Sequence, residues 1–112
     1  PDIFVIMSQQ GFEKYGARAG EDAVMLIDAD LVRSRPGCRC YEIPATSEAK
    51  NTLGREIVAN IVMIGALVTA TGVVSREAIE RAVLDSVPKG TESLNLKALK
   101  RGFELGERAC NL

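Results

Sequence analysis

Asp28 and Asp30 are the first residues in this 112-residue chain whose type and spacing invite chemistry, because two carboxylates at i and i+2 can share a Mg²⁺ or Mn²⁺ ion. No third ligand stands near them. The preferred reading is a turn that carries solvated acids at the carboxyl end of a strand. The cysteines form the next candidate set, with Cys38 and Cys40 in a C-x-C arrangement and Cys110 near the end. An iron–sulfur cluster and a structural zinc site each need four ligands, and with no histidine in the chain these three thiols complete neither. Residues at i and i+2 of a strand are also badly placed for a disulfide. The thiols read as free, which fits a reducing, cytoplasmic location. The absence of histidine also removes the commonest general base, so catalysis by this chain alone is not expected.

The remaining candidates are two asparagines set among apolar residues, Asn60 and Asn95. Asn60 lies inside residues 55–72, REIVANIVMIGALVTATG. On a wheel of about 100° per residue, the apolar side chains of that stretch point in every direction. It reads as a helix buried on all sides. A buried amide needs a partner, so Asn60 is expected to be a satisfied structural amide holding a loop, in preference to touching a ligand. The apolar run is about 14 residues long where a bilayer needs about 20, so no membrane partner is expected. The opening residues PDIFVIM show neither a basic leader nor a small-residue cleavage site, and no signal peptide is expected there.

Composition agrees with a soluble single domain, at 46% hydrophobic and 26% charged residues. Net charge is −1, and Lys and Arg alternate with Asp and Glu, which excludes a nucleic-acid footprint. Residues 3–7 form an apolar run of the kind buried on both faces in a parallel sheet. Ser8 can cap a helix through Gln10, Phe12 and Tyr15 to about Arg18, and residues 24–27 repeat the strand signal. Strand, helix, strand at this spacing is a βαβ unit with a right-handed crossover. Residues 39–43 alternate polar and apolar, which suits a strand at or near an edge. Thr46 or Ser47 can start a short helix toward Leu53, Gly54 breaks it, and Gly72 can close the long apolar helix. Ser75 caps a surface helix that Pro88 and Gly90 end.

The last helix, residues 93–108, brings Ala98, Gly102 and Gly106 within about 60° of Asn95. Glycines cost helix stability and are retained where something must come close. Two explanations stand: tight packing within the chain around one satisfied amide, or another subunit's backbone against the strip. On the second, Gly102→Leu weakens subunit association and leaves the fold intact. Unfolding would instead place the strip in the core.

The order Pro44-Ala45-Thr46, then AN-x-V-M-x-G-A-L over residues 59–67, then N-x-K-A-x-x-x-G over residues 95–102, resembles the gamma subunit of 2-oxoacid:ferredoxin oxidoreductases, the pyruvate, 2-oxoisovalerate and 2-oxoglutarate enzymes. The resemblance implies a three-layer α/β/α domain on a mostly parallel, Rossmann-like sheet. It implies an enzyme subunit that is not catalytic alone, with alpha, beta and ferredoxin-like delta subunits as partners and ferredoxin as the acceptor. Thiamine diphosphate, Mg²⁺, [4Fe-4S] clusters and CoA then belong to the full complex, which turns a 2-oxoacid into an acyl-CoA, and no cofactor is expected in this chain. Such gamma subunits begin with a strand and a G-x-G-G-Q-G turn that this sequence lacks. The chain is therefore expected to be the C-terminal portion of one domain, with strands missing beside residues 3–7 and an open edge able to pair with another copy. Asn60, Ile64, Asn95, Ala98 and Gly102 are the candidates for subunit contact. Two other readings compete: a free-standing Rossmann-like module that binds a nucleotide or effector, and a structural dimerisation domain.

Overall fold

Three apolar runs make the sheet. The computed structural model describes residues 2–110, and in it β1 (Ile3–Ile6), β2 (Val24–Asp28) and β3 (Arg39–Ile43) lie side by side in that order, all parallel. Ile3 pairs with Val24 and Ile6 with Ile27 on one side of β2, and Val24 pairs with Arg39 and Asp28 with Ile43 on the other. Parallel strands need a crossover. Between β1 and β2 it is α1 (Gln9–Tyr15), followed by a 3₁₀ turn at Gly16–Arg18. The Ser8 hydroxyl caps α1 by accepting from the Gly11 N–H at 3.0 Å.

The second connection, residues 29–38, carries no helix and is held over the sheet by Gln9. The Gln9 carbonyl accepts from the Arg33 N–H at 2.7 Å, and its amide donates to the Ser34 hydroxyl at 2.9 Å. On this face Ile6, Met25 and Ile27 pack with Val32, Phe12, Ala19, Cys38 and Cys40. On the other face Leu26 and Ile43 pack under α2 (Ala45–Asn51), α3 (Ala59–Thr71) and α5 (Glu92–Ala109). Outside these lies α4 (Arg76–Ser86), capped by Ser75 and seated through Val83 on Val68, Leu99 and Phe103. The three-layer α/β/α architecture on a parallel, Rossmann-like sheet is as expected.

Two expectations of burial do not hold. Residues 3–7 were expected to be buried on both faces, yet Ile3 and Val5 are 39% and 40% exposed. Among the described residues no strand lies beyond β1. The long apolar helix begins later than Arg55, because Glu56–Val58 form a 3₁₀ turn that leaves Ile57 78% exposed. Gly72 closes α3 as expected, with φ 65° and its N–H donating to the Val68 carbonyl at 2.8 Å.

Candidate functional site

The glycine strip of α5 faces α3 of the same chain. A Cβ on Gly102 would overlap the Val62 carbonyl oxygen and stand 2.9 Å from the Gly65 Cα, and one on Gly65 would overlap the Leu99 carbonyl oxygen. Gly106 continues the seam, where a Cβ would lie 3.0 Å from the Ala66 Cα. Two helix backbones therefore touch, and this is possible only because both lack side chains at the crossing. Ala98 and Gly102 are fully enclosed by that contact and have no surface to offer another subunit. The backbone that approaches the strip is this chain's own.

Asn60 is exposed, contrary to the expectation of a buried amide. Since α3 starts only at Ala59, Asn60 falls in its first turn on the outer side, and its carbonyl oxygen accepts from the Ile61 N–H at 3.0 Å. Asn95 is buried, and its amide donates to the Thr91 carbonyl at 3.0 Å across one turn of α5. Both asparagines meet at a groove of about 390 Å³ between the 3₁₀ turn before α3 and the turn from α4 into α5. Its walls include Arg55, Ile57, Ile61, Val87, Thr91 and Leu94. Ile64 lies beyond this groove, half-buried, in a second apolar recess of about 240 Å³ formed with Val5, Met7, Met63 and Leu67. The five candidates for subunit contact thus divide, with Ala98 and Gly102 in the seam and Asn60, Asn95 and Ile64 around the two recesses.

The Asp28–Asp30 pair proves to be a structural clasp. Asp28 is fully buried, so it is not a solvated turn acid. One of its oxygens accepts from the Thr46 hydroxyl at 2.5 Å and the other from the Asp30 N–H at 3.0 Å. Asp30 accepts from the Ser47 N–H at 2.7 Å. The first turn of α2 is therefore capped by acids from the β2–α2 side, where a cap by Thr46 or Ser47 themselves was expected. Burial pushes the Asp28 carboxyl above its ordinary value, with the Thr46 hydrogen bond pulling the other way. A raised carboxylate favours the folded state at low pH, and that contribution is lost as pH rises through the folded value. Acidifying from pH 7 toward 4 should therefore stabilise the native protein relative to Asp28→Asn in urea melts. A constant gap between the two across that range would contradict the burial argument.

Among the described residues no three His, Cys, Asp or Glu side chains gather as a metal site. Cys38 and Cys40 lie under α1, where burial raises the Cys40 thiol, whereas Cys110 ends α5 in the layer on the other side of the sheet. No described helix is long and apolar enough to cross a membrane. The groove itself escaped the sequence reading. Its one visible signal was the punctuation by Pro88 and Gly90 just before Asn95, which places a turn beside that amide.

Comparison with known proteins agrees with this architecture. A 2-oxoglutarate synthase subunit KorC from Methanocaldococcus jannaschii is 46% identical over 111 residues, which are 96% of this chain and 59% of the relative. The solved gamma subunit of a keto/oxoacid ferredoxin oxidoreductase from Geobacter sulfurreducens is 43% identical and superposes with a TM-score of 0.89, over 96% of this chain and 64% of that one. The pyruvate oxidoreductase subunit PORC from Thermotoga maritima is 29% identical with a TM-score of 0.68, over 93% of this chain and 62% of that one. The chain thus spans about three-fifths of the length of the relatives it matches. Residues 1–105 match the pyruvate ferredoxin/flavodoxin oxidoreductase family, and the chain belongs to that family.

Proposed function

We propose that this chain is the greater part of the gamma subunit of a multi-subunit 2-oxoacid:ferredoxin oxidoreductase, and that its role is assembly and completion of the surroundings of the active site. The observation that carries the reading is the 46% identity to a 2-oxoglutarate synthase subunit over nearly the whole chain. The lower identity of 29% to a pyruvate oxidoreductase subunit favours 2-oxoglutarate as the substrate of the complex. Other subunits then carry thiamine diphosphate with Mg²⁺ and the iron–sulfur clusters, and the acyl group passes to CoA with electrons going to ferredoxin.

The donor sets of this chain do not fit those groups. Each Asp28 oxygen is already engaged, one by Thr46 and one by Asp30, and the cysteines divide between the two faces of the sheet. What the chain offers is a largely apolar groove that also carries two amides, two hydroxyls and one guanidinium, groups that hold and orient. The test is anaerobic co-expression of the complete subunit with its neighbours, followed by CoA-dependent reduction of a viologen dye. Activity on 2-oxoglutarate well above that on pyruvate and branched-chain oxoacids, lost when this subunit is omitted, is expected. Full activity without the subunit would overturn the reading, and activity on pyruvate alone would overturn the substrate.

A further inference from the structure

The groove beside Asn60 and Asn95 is walled entirely by helices and their turns, with no residue from the sheet. Asn95 is only 7% exposed, and its amide nitrogen is used by Thr91, yet among the described residues its carbonyl oxygen has no donor and stays open to the groove. In the same lining, the Asn60 carbonyl takes the Ile61 N–H, while its NH₂ has no acceptor among the described residues. The lining therefore offers a free acceptor and a free donor, which is what one peptide unit requires in reverse. Ile57, the most exposed of the large apolar side chains among the described residues, lines the groove with Leu94. Arg55 is the one charged residue of the lining and forms no ion pair among the described residues. An apolar floor, a matched pair of amide groups and an unpaired guanidinium fit a short extended peptide carrying an apolar side chain and a carboxylate.

We infer that this groove receives an extended segment of another subunit of the oxidoreductase, its main chain held between Asn60 and Asn95, an apolar side chain against Ile57 and Leu94, and an acidic side chain on Arg55. This rests on the subunit reading given above and names the surface through which it acts. Asn60 also borders the other recess, the one containing Val5 and Met7, so the two lie side by side along α3. The volume of about 390 Å³ lies in the range of sites that enclose small ligands, and so accommodates a few residues and no whole helix.

The experiment uses the complete tagged subunit co-expressed with the other subunits. Ile57→Asp should weaken their association by about tenfold or more, as burial of an apolar anchor predicts. The variant subunit alone should melt within about 2 °C of the native one, since Ile57 is already outside the core. Val73→Asp, an exposed apolar residue beyond the far end of α3, should leave association within about twofold. A photo-crosslinking residue in place of Ile57 should join this subunit to another subunit. Association of Ile57→Asp within about twofold of native would overturn the inference. So would crosslinks confined to a second copy or to the subunit itself. Failure of the native subunit to associate at all would instead overturn the subunit reading, and this inference with it.

Discussion

Replacing Gly102 with Leu should unfold the chain, and Gly102→Ala alone should lower its melting temperature by more than about 10 °C. The added methyl does not enter a void. It meets the Val62 carbonyl oxygen on the facing helix, with the Gly65 Cα 2.9 Å away, and backbone atoms cannot rotate aside as a side-chain tip can. The helices must separate, and every core contact along the seam loosens with them, including those of Met63, Ala66 and Ala98. Overpacking of this sort costs about 3 kcal/mol or more, out of a total stability of about 5 to 15 kcal/mol for an ordinary domain. Gly65→Ala should behave alike, because its Cβ would run into the Leu99 carbonyl. Gly20→Ala is the control: nothing lies within 4 Å of the position. Thermal melts followed by circular dichroism decide the matter. If Gly102→Ala melts within a few degrees of the native chain, the backbone contact is not what holds α3 to α5.

Arg101→Ala comes second, with an expected loss of about 2 kcal/mol at pH 7. The guanidinium makes two 3.0 Å hydrogen bonds to the Glu48 carboxylate, joining α5 to α2, and a third at 2.8 Å to Glu104. Both members of the Arg101–Glu48 pair are largely enclosed, with side chains 22% and 16% exposed, so the pair is screened less than a surface bridge. Truncation leaves the Glu48 charge without its partner. The Arg101 hydrogen bonds hold the Glu48 carboxyl below its ordinary value, against the opposing effect of burial. A carboxylate with a depressed folded value stabilises the fold above its unfolded value, near 4.5, and that stability disappears as pH falls through the folded value. The gap between native and Arg101→Ala should accordingly be full at neutral pH and narrow on acidification below about pH 4.5. Urea midpoints at pH 7 and pH 3.5 measure it. A gap that stays equal or widens in acid would show that the guanidinium acts through packing alone.

The two acids thus pull in opposite directions on acidification. Asp28 favours the fold as protons are added, and Glu48 opposes it.

Local signals carried much of the architecture. The apolar runs at β1 and β2, the Ser8 and Ser75 caps and the glycine that closes α3 are each visible within a few residues, and their placement agreed with the structure. The last helix was legible to within about a residue at either end, since its amphipathic pattern and flanking turn residues reinforce one another. What failed depended on partners distant in sequence. Asn60 sits in an apolar run, and a wheel drawn through residues 55–72 assumes one continuous helix. The turn at Glu56–Val58 breaks the phase and places the amide outside. Asp28 and Asp30 look alike in sequence, yet one is enclosed and the other caps a helix 17 residues away, a distinction set by where α2 docks. The glycine strip was recognisable as a site of close approach, but a spacing of three and four on one helix does not say whose backbone will come. Its counterpart, Gly65, stands alone in the apolar run, with no second glycine three or four residues away to mark a crossing.

The backbone contact at Gly65 and Gly102 also bears on how the protein answers to hydrostatic pressure. Pressure favours the unfolded state in proportion to the internal void volume that unfolding abolishes. Where two helices meet backbone to backbone, with no room for even a methyl group, there is almost no such volume to recover. The recess between β1 and α3, about 240 Å³ and bounded mainly by apolar side chains, opens to solvent and is not such a void. Under load the α3–α5 pair should therefore be the last element to hydrate.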